Sequence, residues 1–496
     1  MSSNNAPAGP SAQRRPAGHL DVRTALRPYR GAWNAGLAAH LLRRAGFGGS
    51  PQEIGRAAAA GMDAAVDSLL RFSVTSLPDA PEGDFSFSAA MPQQRRAAVI
   101  AAQLWWLNRL LLSPNPLQEK MVYFWANHFT SAIGGGVTPA MMVQQYGLFR
   151  RYALGDYSQL THEISKDPAM LVYLNGAQNH NGRPNENYAR ELMELFTMGI
   201  GNYSEEDVRQ SARAFTGYTV RRLDGSAHYE ARLHDDGDKT FLNRSGRFSG
   251  DDIVDIIMQQ PATGRYMATK FLRAFVYDDP EPELVDAVAS LFRTNYDVGT
   301  LLDTLLRSDV FYSARAYRAL IKSPLDLAIG ALKSVGAAAV GPAVDGALVR
   351  MGQTVMYPPN VAGWPGGSQW MSQSTLLARL NFLNGLVYYK PTGSAAASAT
   401  SMDSMPKGRH AGMVSGIADP LTWIAGARID DPGDVAEHVL RSTLQDDATP
   451  QQRSTLLGYL QTDAVGNLVA LNAENIDEKV RGAAALAFAM PAYQLM

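Results

Sequence analysis

The sequence predicts a mainly α-helical, multi-helix globular domain with a minor β-ribbon, and three observations carry that reading. The first is periodicity. Apolar residues recur at three and four, not at two, in Arg96–Leu112, Leu117–Phe129, Pro261–Tyr277, Pro282–Thr294 and Ser323–Gly336, the spacing that lines one face of a helix. The second is punctuation. Gly46 and Gly48 close one helix, and Ser50, Pro51 and Glu53 supply the cap, first-turn proline and capping-box partner of the next. Asn185 precedes a helix that ends near Gly199, and Ser204 with Asp207 opens another that stops at Gly217. The third is the scarcity of alternation: only residues 216–233 alternate well enough for a two-stranded ribbon, with Asp224-Gly225 as its turn.

Composition bounds the function. The chain has 496 residues, 46% hydrophobic and 19% charged, a globular balance with length for one to three domains. With 45 basic and 47 acidic residues the net charge is −2, so no bulk field recruits nucleic acid. Cysteine is absent, which excludes disulfides, thiolate nucleophiles and zinc-thiolate sites. No apolar run reaches the ~20 residues of a membrane span. Arg14-Arg15 is not followed by an apolar stretch, so the visible N-terminus reads as cytoplasmic. Composition shifts divide the chain into a disordered tail at 1–30, a main helical domain at 31–390, a linker or insertion at 391–418, and a helical segment at 419–496 expected to pack on the main domain.

Common catalytic signatures are missing. His162-Glu163 begins like a zincin helix, but Lys166 stands where the second histidine belongs. No nucleophile elbow, Walker A loop or dinucleotide fingerprint occurs. Asp235-Asp236-Gly237-Asp238 lacks the ligand alternation of an EF-hand.

Several constellations remain. Glu186, Arg190 and Glu194 stand four apart, and beside them Asn187 and Glu191. One reading is an exposed ion-pair ladder; the other is a cleft where Asn187, Glu191 and Glu194 hold a divalent cation or act as a base, with Arg190 orienting an anionic substrate. His128 sits among aromatics before Gly134-Gly135-Gly136, either as a hydrogen-bonded core residue or as a ligand. His234-Asp235 is a lone pair of metal-binding type. The stretch Tyr357 to Gly367, with Asn360 and Trp364, reads as a rigid cap on the core or as a lid or recognition surface. Arg43-Arg44 reads as an anion grip or as a solvated helix C-terminus, where cations complement the helix dipole. Trp105, Trp106 and Trp125 read as core rather than as a small-molecule pocket.

These motifs together resemble a bacterial family catalogued only as domain of unknown function 1800. The matching pieces are His40 to Gly48, Phe124 to Phe129, Pro184 to Phe196 with Gly199, Ala214 to Gly217, Leu233 to Phe241, Pro261 to Phe275 and Pro358 to Gly367. The resemblance implies a largely helical protein, often exported to the periplasm or beyond, and often encoded beside a partner resembling the alkaline phosphatase and sulfatase fold. It supplies no catalytic residues. Two functions are therefore expected: an accessory or scaffold protein that binds a partner protein or a surface polymer, or a metal-assisted hydrolase or transferase using Glu191, Glu194, His128, His234 and Asp235 as ligands.

Overall fold

In a computed structural model of the chain, the described residues are 21–73, 75, 77–81, 92–221, 224–388, 414–415, 420–445 and 447–496. They form 21 α-helices and three two-stranded antiparallel pairs, the mainly α class with a minor β-component. Local chemistry explains the boundaries. Ser50 with Glu53, Ser204 with Asp207, Ser249 with Asp252 and Ser323 with Asp326 each close a reciprocal capping box, satisfying two backbone donors per helix start. Proline opens the helices at residues 51, 116, 139, 261, 282 and 324, where its missing N–H costs nothing.

The expected ribbon forms with Tyr218 opposite Tyr229 and Val220 opposite Ala227. Two further pairs join 239–241 to 244–246 and 339–340 to 414–415. The last involves two residues of the stretch expected as linker; most of that stretch lies outside the described residues. At the other end, residues 1–20 lie outside them too. Residues 21–30, expected within the tail, contain the helix Val22–Ala25 capped by Asp21, and Tyr29 N–H donates to the Arg307 carbonyl.

One continuous core runs from Ala25 to Tyr493 and includes Trp105, Trp106 and Trp125, which are buried as core residues. Val435, Phe488 and Tyr493 of the C-terminal helices lie in that same core. Among the described residues no helix is long and apolar enough to cross a membrane. Gly134, Gly135 and Gly136 all have positive φ, in a turn whose ends pair through Gly134 and Val137. That backbone is open to glycine at little steric cost.

Candidate functional site

The helix Pro116–His128 delivers Asn127 and His128 to one place. His128 is buried, and its Nε2 lies 2.9 Å from the Phe196 carbonyl oxygen. A carbonyl can only accept, so Nε2 carries the proton and Nδ1 is the bare nitrogen, buried without a partner. Burial first, and the Lys270 charge second, hold the imidazole well below its ordinary pKa, so it stays neutral. Its ring stacks on Phe124 and meets Phe129 edge-on. His128 is thus bonded to the backbone of the glutamate helix while its ring belongs to an aromatic cluster.

Asn127 fixes the Pro-Gly-Trp loop instead. Its Oδ1 accepts from Trp364 N–H at 2.7 Å. Gly363 has a φ of 88°, and a Cβ there would fall 2.3 Å from that same Oδ1, so only glycine fits. Trp364 is 5% exposed with its ring against Tyr123. The expectation of a lid or recognition anchor at Trp364 is corrected: the indole is a peg in the core. Asn360 is exposed, and its Oδ1 accepts from Ala362 N–H in a turn of its own loop.

The glutamate ladder does not survive as spaced. The α-helix Asn187–Glu191 passes into a π-helix over Leu192–Thr197, where Met198 N–H reaches back five residues to the Met193 carbonyl and Thr197 Oγ1 donates to the Leu192 carbonyl. The wider turn breaks the i,i+4 row. Arg190 therefore pairs with Glu186 at 3.1 Å and, through both terminal nitrogens, with Glu205 at 2.8 Å. It is occupied, not poised to orient a substrate. Glu194 turns to accept from Tyr203 Oη at 3.0 Å. Glu191 is half-buried; burial, then the Glu194 charge, raises its carboxyl pKa, with Arg190 opposing. Asn187 is exposed.

One residue that sequence reasoning passed over completes the region. Lys270, on the helix Pro261–Phe275, holds its ammonium 5.1 Å from the centre of the Tyr266 ring, and Tyr266 Oη donates to the Leu195 carbonyl. The nitrogen sits deep among protein atoms while the side chain keeps a partly exposed edge. Burial, then Arg273, pulls its pKa down to about 8. Among the described residues no carboxylate pairs with it. The signal in the sequence was a lysine three residues past Met267 and one before Phe271, on the flank of an apolar stripe.

His234 and Asp235 lie elsewhere in chemistry. His234 Nδ1 donates to the Thr216 carbonyl at 3.0 Å. Asp235 receives Arg213 at 2.7 and 3.1 Å through both its oxygens, which holds its carboxyl below the usual range. Asp235 stitches the loop to the helix Glu205–Ala214, and His234 ties it to the turn that follows that helix. Among the described residues no group of three or more His, Asp or Glu side chains is placed to hold a metal ion. The five expected ligands Glu191, Glu194, His128, His234 and Asp235 do not form one site.

Arg43 and Arg44 are not solvated at a helix end, which corrects that reading. They are 3% and 0% exposed. Arg44 donates to the carbonyls of Phe275, Val276 and Ala316, and Arg43 to Gln445 Oε1. Comparison with curated proteins and with solved structures returned no match. The family model described as Protein of unknown function (DUF1800) matches residues 40–495, nearly the whole sequence, and the chain belongs to that family.

Proposed function

We propose that this protein acts by binding, as an accessory or scaffold protein whose recognition face is the strip formed by Tyr173, Glu191, Glu194, Tyr203, Tyr266 and Lys270. One observation supports the reading above the others: partly exposed rings and charges of both signs follow one another across several elements, each felt by the next. Burial, then Glu191, raises the Tyr173 pKa; burial, then Glu194, raises those of Glu191 and Tyr266; Tyr203 bonds Glu194, and Lys270 lies against Tyr266. Rings with a wet edge stack on flat apolar faces, and carboxylates accept from hydroxyls, a combination suited to a hydroxyl-rich surface polymer. The test is retardation of the protein in native gels containing a panel of surface polysaccharides. Retardation of the wild type, lost in folded Tyr203→Ala and Lys270→Met variants, is the expected result. No retardation by any polymer would overturn the polymer reading. A partner of the alkaline phosphatase and sulfatase fold, which the family resemblance implies, is then the protein to try against the same variants.

A second reading, the metal-assisted hydrolase or transferase, rests on the mutual repulsion of Glu191 and Glu194. A magnesium ion needs only one or two carboxylates, with water and substrate oxygens completing its shell. Calorimetric titration with Mg²⁺ and Mn²⁺ tests it; heat of binding that vanishes in Glu191→Gln supports this reading, and its absence in the wild type removes it.

A further inference from the structure

A second polar centre lies inside the fold, apart from the strip. It is a cavity lined by residues that include Arg43, Gly48, Lys322, Asp326, Gln445 and Tyr493. Three distant parts of the chain meet there: the end of the helix Ala35–Ala45, the start of the helix Pro324–Ser334, and the C-terminal segment.

Its charges do not balance. Arg43 donates from Nη1 to Gln445 Oε1 at 3.0 Å and lies over the Tyr317 ring, but its Nε and Nη2 are buried with no acceptor. Lys322 is 7% exposed, and its ammonium stands 3.8 Å over the Tyr493 ring with neither an ion pair nor a hydrogen bond among the described residues. The nearby carboxylates are already taken. Asp326 accepts from Lys120 at 2.5 Å and from Ser323, while Asp447 accepts from Arg318. Arg379, fully buried beside them, donates to the Lys322 carbonyl and to Gln494 Oε1, and its Nε is left without an acceptor. An unpaired buried cation is among the costliest features a fold can keep. Burial first, then the Arg43 and Arg318 charges, push the Lys322 ammonium well below its ordinary pKa, a cost that a counter-ion removes.

Shape limits what the counter-ion is. The cavity has room for about one water-sized occupant, which admits a halide and turns away a phosphate ester. Two features hold it open and in register. Gln445 keeps a left-handed backbone at φ 61° while its amide bridges Arg43 to the Gly49 carbonyl, strain that persists only where surroundings enforce it. Gly48, at φ 87°, leaves room for the same amide: a Cβ there would stand 3.1 Å from its nitrogen.

We propose that this cavity binds a single small monovalent anion of chloride size between Arg43 and Lys322, and that the anion staples the helix Ala35–Ala45 to the residues that lead into the helix Pro324–Ser334. This is independent of the binding strip and of its ligand.

The experiment follows the thermal midpoint of the full-length protein as millimolar sodium chloride replaces sodium gluconate at constant ionic strength, with sodium bromide as a third arm. The expected result is a midpoint that rises and saturates with chloride, is matched by bromide, and does not move with gluconate. Lys322→Met, if it folds, should show a flat response. A bromide-soaked crystal should give an anomalous peak between Arg43 and Lys322. Superimposable chloride and gluconate curves for the wild type, or a bromide-free cavity, would overturn the proposal, whether or not the variant folds.

Discussion

Arg44 and Arg190 carry the same guanidinium in opposite settings. Arg44, on the helix Ala35–Ala45, is fully buried and is met by three backbone carbonyls. Arg190 keeps a third of its side chain in water and is met by two carboxylates. A buried cation satisfied by carbonyl dipoles needs no second ion to be stripped of water, and it ties together segments that contribute no charge of their own. An exposed cation between carboxylates gains only an attraction that water and salt screen. Charge buried like that of Arg44 organises the fold, and charge exposed like that of Arg190 contributes little to it.

That contrast can be broken first at Arg44. Arg44→Met should destabilise the protein by roughly 3 kcal/mol or more, because three buried carbonyls lose their donor; denaturant unfolding reads the loss, and a change below about 1 kcal/mol would mean that the buried setting is not what secures the fold. Asp167 sharpens the point from the acid side. It is buried without a cation, accepts from Gln145 and from Met170 N–H on one oxygen, and has its pKa raised by burial to about 7. Between about 4 and 7 the unfolded chain releases this proton while the folded chain keeps it, so stability falls as pH rises through that window. Asp167→Asn retains the accepting oxygen and should flatten the fall; a pH profile unchanged in the variant would contradict it.

Lys270 tests the surface half. Its folded pKa, about 8, lies below the usual lysine value, so the unfolded chain binds the proton more tightly from about 8 to 10.5 and stability climbs with pH across that range. Lys270→Met should be at least as stable as wild type at pH 7 yet lose polymer retardation, the signature of a residue kept for function at a cost in stability. A variant that is less stable and still retarded would make Lys270 structural. The smallest effect belongs to Glu205→Gln, which removes one exposed partner of Arg190 and should leave the unfolding midpoint where it was.

Local chemistry was legible in the sequence and distant chemistry was not. The capping boxes at Ser50 and Ser204 and the ribbon around Asp224-Gly225 formed as read, since each depends on residues within a few positions. The tryptophans at 105, 106 and 125 fell in the core because helical spacing already placed them on apolar faces. The burial of Arg44 rests on acceptors 231 to 272 residues away, which no local pattern announces. The π-helix at Leu192–Thr197 displaced Glu194 from its row, and nothing in a row of i,i+4 charges distinguishes a helix that widens from one that does not. Lys270 escaped notice because a lone lysine on a helix flank is ordinary until its neighbours are known. His128 divided the two alternatives: the hydrogen-bonded core reading fits its Nε2 contact, while the ligand reading rested on the glycines at 134–136 that follow it.

The pairing of Arg43 with Gln445 spans 402 residues, and that interval is also a time. At typical rates of synthesis of about 5–20 residues per second, Arg43 leaves the ribosome roughly 20–80 s before its partner exists. Until Gln445 is made, Arg43, joined later by Lys322, lacks the residues that bury it, and the cavity is an unfinished cup. The segments that carry Gln445 and Tyr493 close it, so making them and burying its cations are one event. Proteins truncated during translation would be left with an open, positively charged mouth, distinguishable from the finished product by the charge they expose.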